Sequence, residues 1–138
     1  MRILAFTAWL LAGCLVLCVT SCSTPAGKGR KAEAGYRAAA PVIAALEKFH
    51  EAHGHYPADL NELVPTYLPA ERLLLHGGLQ PVRSPQGSVS AEAWDNSPRF
   101  SYNREEDVYG LSFSYLGPGV NDCYYDSRTR KWAAHGYY

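Results

Sequence analysis

Three histidines crowd the end of one predicted helix: His50, His53 and His55. His50 and His53 stand one turn apart, a spacing at which two imidazoles share a metal. A metal site needs further ligands in suitable geometry, and no His-Glu-x-x-His arrangement is present. Ordinary helix-end histidines are the simpler expectation, with His53 finishing an apolar stripe. Asp122 and Asp126 flank Cys123-Tyr124-Tyr125, and Asp107 falls in another turn. Carboxylates of this kind hold calcium, but here they are sparse and no EF-hand loop surrounds them, so turn formation is the plainer expectation. Cys123 and His135 could pair across two strands as nucleophile and base. The sequence has no nucleophile elbow, phosphate loop or zinc-type cysteine pair.

Tyrosine is the abundant functional side chain, with ten in all. It offers large contact area at low entropy cost and is enriched at interfaces. Tyr124, Tyr125, Tyr137 and Tyr138 lie outside the strongest alternation and, with Trp132, form the candidate interface. The competing expectation is that several of them finish a small core.

The chain opens on Met1-Arg2, a minimal positive region, followed by the charge-free, mostly apolar run Ile3–Thr20. Such a run suits a membrane helix or a cleaved signal peptide. Its end separates the two. Val19-Thr20-Ser21-Cys22 resembles a bacterial lipobox: an aliphatic residue, two small ones, then cysteine. The resemblance implies that residues 1–21 are a signal peptide, that the Cys22 thiol takes diacylglycerol, and that cleavage precedes Cys22. Leu17 is too bulky beside Cys18, and Cys14 would leave a very short apolar run. One acyl chain binds a bilayer only marginally, whereas two or more, of palmitate type, hold a protein there. Ser23 follows the cysteine where aspartate is absent, which implies the outer membrane, facing the periplasm.

Loss of residues 1–21 would leave 117 of the 138 residues, enough for one domain with a modest core. Arg2 is one of 13 basic side chains, so its removal leaves 12 against 13 acidic ones. A net charge near minus one disfavours a nucleic-acid partner. Of the four cysteines, Cys14 and Cys18 leave with the signal and Cys22 carries lipid. Cys123 then stands alone, without an intramolecular disulfide partner, and a lone cysteine is usually a buried small apolar group.

Residues 22–31 are expected to form a lipidated, structureless tether, since Thr24–Lys31 combines Gly, Pro and charge without apolar periodicity. Nine residues reach at most about 30 Å. Residues 32–138 form the domain. Val42, Ile43, Leu46 and Phe49, with His53, fall on one helical face, opposite Arg37, Lys48 and Glu51. Pro41 either starts this helix or kinks a longer one beginning near Ala32; Tyr36 and Ala39 extend the stripe backward and favour the longer version. Gly54 ends it. Asp59 and Glu62 fit a capping box for a helix of two turns carrying Leu60, Leu63 and Val64, which Pro65 stops. Residues 70–98 read as a long loop pinned by Leu79, Val82 and Trp94, or hiding a short strand. Beyond it, Tyr109, Leu111, Phe113 and Tyr115 alternate with Gly110, Ser112 and Ser114, a period of two. Phe100 and Tyr102, Cys123 and Tyr125, and a last strand centred on Trp132 complete an antiparallel meander with turns at 105–107, 117–119 and 126–129.

Ala44-Ala45-Leu46-Glu47-Lys48-Phe49-His50, then Gly54-His55-Tyr56-Pro57, resembles the type II secretion major pseudopilins and type IV pilins, whose amphipathic helix ends in Gly-x-Tyr-Pro. Leu60, Leu63 and Tyr67-Leu68-Pro69 continue the likeness. Trp94 and Phe100-Ser101-Tyr102 are more loosely similar, with Asn96-Ser97 where the family's turn has glycine. The resemblance implies an α+β fold: a long N-terminal helix packed on a three- or four-stranded antiparallel meander. The family's leader, its long hydrophobic helix and the glutamate on it are missing, so membership of a pilus or secretion machine is not implied. The expected function is a non-enzymatic envelope lipoprotein that binds another envelope or secreted protein or serves a structural role. A narrower version is an immunity protein neutralising a toxin in the periplasm. The opposing class, a cell-wall-directed enzyme, requires Glu62, Asp95 or Asp122 gathered with His50 or His135.

Overall fold

A computed structural model describes residues 24–80, 100–117 and 119–136. The expected signal peptide (residues 1–21), Cys22, Val82, Trp94, Asp95, Tyr137 and Tyr138 lie outside the described residues. Within them the chain is an α+β fold. Helix α1 (Gly29–His53) packs on an antiparallel sheet of β1 (Leu79–Gln80), β2 (Ser101–Glu105), β3 (Val108–Leu116), β4 (Val120–Asp126) and β5 (Lys131–Gly136). β3 is the axis of the sheet. β1 and β2 lie end to end along one of its edges, with Leu79 opposite Tyr115 and Tyr102 opposite Leu111. β4 covers the other edge and β5 continues beyond β4.

The helix forms where the apolar spacing places it. Ala32, Gly35, Ala39, Val42, Ala45, Leu46 and Phe49 are its buried face, while Arg37, Lys48 and Glu51 are exposed. It runs through Pro41 and stops at Gly54, whose φ of 76° is the left-handed conformation glycine reaches without strain. Its start differs from expectation. Gly29, Arg30 and Lys31 are helical, and the preceding residues are docked rather than free. The Gly27 amide donates to Tyr115 Oη at 3.0 Å, Tyr36 Oη donates to the Gly27 carbonyl at 3.1 Å, and Lys31 Nζ donates to the Leu116 carbonyl at 2.6 Å. Two contacts from the distant strand β3 and one from the helix itself order a segment whose own residues carry no helix signal. The described part of the expected tether is therefore part of the domain.

Gly27 and Lys31 meet the C-terminal end of β3, Gly35 faces Phe113, and Glu47 meets Tyr109 at the strand's beginning. The helix thus runs antiparallel to β3. The alternation of β3 sends Tyr109, Leu111, Phe113 and Tyr115 toward it, all buried, and Cys123 of β4 joins them. Phe113, fully buried, is the centre of this seam. Its ring lies 5.6 Å from Tyr36, 5.5 Å from Trp132 and 6.3 Å from Phe100.

The Asp59–Glu62 capping box is present, with Asp59 Oδ1 accepting from the Asn61 amide at 2.6 Å and Glu62 Oε1 from the Asp59 amide at 3.1 Å. It opens a single 3-10 turn, Leu60–Leu63, shorter than the two helical turns expected. Leu60, Leu63 and Leu68 are buried beneath the helix end. The first part of the expected long loop is ordered too. A second 3-10 turn, Ala70–Leu73, leads to β1, and Leu73, Leu75 and Leu79 are buried.

Candidate functional site

Strand alternation divides the candidate interface. Tyr125 and Trp132 point to the helix side, half-buried, with rings 5.3 Å apart. The Trp132 ring also lies 4.9 Å from that of Tyr36, tilted by 54°. Both belong to the seam. Tyr124 points to the opposite face and is 38% exposed. Adjacent residues of a strand cannot share a surface, so Tyr124 is the described tyrosine of this set that a partner can reach.

Around Tyr124 the outer face carries a row of polar side chains. Ser114 on β3, Asp122 on β4 and His135 on β5 lie directly opposite one another. Tyr124 Oη donates to Asp122 Oδ2 at 3.4 Å, and its ring lies 5.9 Å from His135. Partial burial raises the Asp122 carboxyl above its ordinary range, against the lowering effects of the Tyr124 hydroxyl and His135. Serine, aspartate and histidine in one row suggest a hydrolytic triad, but their order forbids it. The imidazole must stand between hydroxyl and carboxylate. Here Asp122 occupies the middle, and His135 is two strand spacings, about 10 Å, from Ser114. Ser114 is itself buried, with its hydroxyl donating to the Gln80 carbonyl at 3.3 Å.

The other chemical candidates disperse. Cys123 points to the helix and His135 to the outer face, so the expected cross-strand pair does not form; Ala134 is opposite Cys123. The Cys123 sulfur is fully buried, 3.5 Å from Tyr36 Oη, and burial raises its thiol above the ordinary value, the reverse of an activated nucleophile. Asp122 and Asp126 are four strand residues apart, about 13 Å. Asp126 accepts from the Arg128 amide at 2.8 Å and from Thr129 Oγ1 at 3.3 Å, as a turn residue does. Among the described residues no three histidine, cysteine or carboxylate side chains converge as metal ligands. His53 is exposed rather than part of the buried stripe and stacks 4.1 Å from Phe49; His50 stacks 4.4 Å from Tyr56. Glu62 is occupied by its cap. His50, Glu62 and Asp122 stand on separate elements, and of the carboxylate–histidine pairs an enzyme would need, Asp122 opposite His135 is the one the described residues bring together.

One cluster was not foreseen in the sequence. Glu47, on the edge of the helix stripe, accepts from Tyr109 Oη at 3.1 Å and from Tyr56 Oη at 3.2 Å. Tyr102 Oη donates to the Pro57 carbonyl at 2.8 Å, and Arg104 to the Tyr56 carbonyl at 2.6 Å. These bonds clamp the Gly54–Pro57 link to helix and sheet, and their role is structural. Desolvation, with Glu47 adding to it, pushes the Tyr56 phenol up to about 12; desolvation also takes Tyr102 up to about 12 and raises Tyr109. Each phenol ionises more readily in the unfolded chain, near its ordinary 10.0. Their contribution to stability is whole below that pH and is lost as pH rises through about 12. Urea midpoints should therefore fall between pH 10 and 12, with a shallower fall in Tyr56→Phe; level midpoints across that window would contradict the clamp.

Compared with family models, curated proteins and solved structures, the chain matches none.

Proposed function

We propose that the chain is a lipid-anchored envelope protein, held through Cys22 in the outer membrane facing the periplasm, whose domain binds another protein without catalysing a reaction. The Val19–Cys22 stretch supports the anchor. No helix among the described residues is long and apolar enough to cross a membrane.

The observation that carries the binding reading is β5. This six-residue strand pairs with β4 alone among the described residues. It holds no proline, and its residues alternate between exposed and half-buried. Such an edge is a template for strand addition, in which main-chain hydrogen bonds give affinity and neighbouring side chains give selectivity. Tyr124, beside Ala133 on the outer face, is placed to supply the aromatic contact.

A photo-crosslinking amino acid at position 124 or 133, introduced into the intact protein in living cells, should yield one discrete adduct. The same group at Lys48, on the solvent side of the helix, should yield none. Truncating Tyr124 to alanine in the otherwise native chain should weaken binding about 30-fold, the effect of losing a hot-spot tyrosine worth about 2 kcal/mol. Identical adducts from 48 and 124, or no adduct from 124 and 133, would refute the edge as the binding surface.

A further inference from the structure

We infer that one end of the domain faces the bilayer, with Leu116 and Val120 entering the membrane interface beside the lipid on Cys22. This rests on the lipoprotein reading above and fixes an orientation which that reading leaves open.

Three features meet at that end. The first is exposed apolar surface. Leu116 and Val120 are cross-strand partners at the tip of the β3–β4 hairpin, 52% and 43% exposed. With Tyr124 they are the exposed large hydrophobics of the described residues. A pair projecting from a hairpin tip buries little against a flat protein but inserts readily among acyl chains and headgroups. The second is the course of the chain. The segment after Cys22 is fastened to this same end, through Gly27 on Tyr115 and Lys31 on Leu116, with Ala26 against Gly136. Four residue steps separate Cys22 from the docked Ala26, at most about 14 Å. The acyl chains therefore enter the membrane next to the hairpin tip rather than at the end of a free tether. The third is charge. Lys28, Arg30, Lys31 and Arg37 are exposed on or beside the first turns of the helix toward this end, against the carboxylates of Glu33 and of the half-buried Asp122. The far end carries Glu105, Glu106, Asp107 and Asp126 together with Arg104, Arg128, Arg130 and Lys131, so its charges balance and the excess of cations lies at the helix start. Cations within a Debye length of the bilayer, about 8 Å at physiological ionic strength, are attracted to anionic headgroups. Anchor, apolar tip and cations together specify an anionic phospholipid surface.

The test uses the lipidated chain reconstituted in vesicles of phosphatidylethanolamine and phosphatidylglycerol. An environment-sensitive fluorophore is attached at Leu116→Cys or Val120→Cys, with Glu105→Cys at the opposite end as control. Cys123 is buried and is not labelled. The emission at 116 and 120 should shift to the blue and be quenched severalfold by brominated acyl chains, while 105 behaves as in water. Reversing Lys28 and Arg30 to glutamate should reduce the quenching, and so should replacing phosphatidylglycerol with a neutral lipid. A blue shift without bromine quenching would mean that a second copy or another protein covers the tip, and would overturn the inference. Equal quenching at 105 and 116 would overturn it as well. The mass of the same sample separates the two readings. Acylated Cys22 with a water-exposed tip rejects the orientation alone; an unacylated chain that keeps residues 1–21 rejects the anchor and the orientation together.

Discussion

Phe113→Ala should lower the free energy of unfolding by about 3–5 kcal/mol, the usual cost of truncating a buried aromatic side chain. The magnitude follows from position. The ring is fully buried and meets Tyr36, Phe100 and Trp132 edge-on, so its loss removes both transfer free energy and three aromatic contacts. The surroundings are poorly able to collapse into the space. Gly35 has no side chain to lean inward, and Tyr36 is held by its hydroxyl to Gly27. A domain of this size is stable by about 5–15 kcal/mol, so the variant should unfold at a far lower urea concentration or fail to accumulate. Urea titration followed by circular dichroism measures it, with Phe113→Leu as the milder companion. A loss under about 1 kcal/mol would mean that the seam is not packed around this ring.

Gly35→Ala should be destabilising by about 1–3 kcal/mol, although alanine is the better helix former. Relieving glycine's flexibility inside a helix is worth about 1 kcal/mol in the folded state's favour. The added methyl, however, would stand well inside van der Waals contact with the Cε2, Cζ and Cδ2 atoms of Phe113. Phe113 is enclosed by other rings, so the clash moves the helix off the sheet or forces a strained rotamer. The clash exceeds the helix gain, which fixes the sign. The two substitutions should couple. With Phe113 already alanine, the methyl has room, and Gly35→Ala should then be neutral or stabilising. A double-mutant cycle reads the coupling directly. Additive effects would place Gly35 away from the ring.

The elements whose signals are local were legible in the sequence. β3 announces itself through Tyr109, Leu111, Phe113 and Tyr115 at a period of two, because one face is buried against a helix. Asp59 and Glu62 mark the start of their turn because a capping box uses only neighbouring groups. What the sequence concealed depends on partners far along the chain. Gly29–Lys31 joins the helix where Gly27 is held by Tyr115 and Lys31 by Leu116, more than 80 residues away. The short strand Leu79–Gln80 is defined by its pairing to β3, since two residues show no period. The site was less legible than the fold. Strand alternation by itself is enough to send the adjacent Tyr124 and Tyr125 to opposite faces, which splits the candidate interface. The Glu47 clamp could not be seen, because a carboxylate at the edge of an apolar stripe looks like any solvated helix residue until the tyrosine hydroxyls arrive from β3 and the Gly54–Pro57 link.

The sealed thiol of Cys123 makes the seam observable without adding a probe. Its sulfur lies between Tyr36 and the sheet with no surface in solvent, so an alkylating reagent attacks it only while helix and strand are apart. The rate of modification then counts openings of the native molecule. The same enclosure protects the sulfur from oxidants, sparing the folded protein adventitious cross-links to its neighbours.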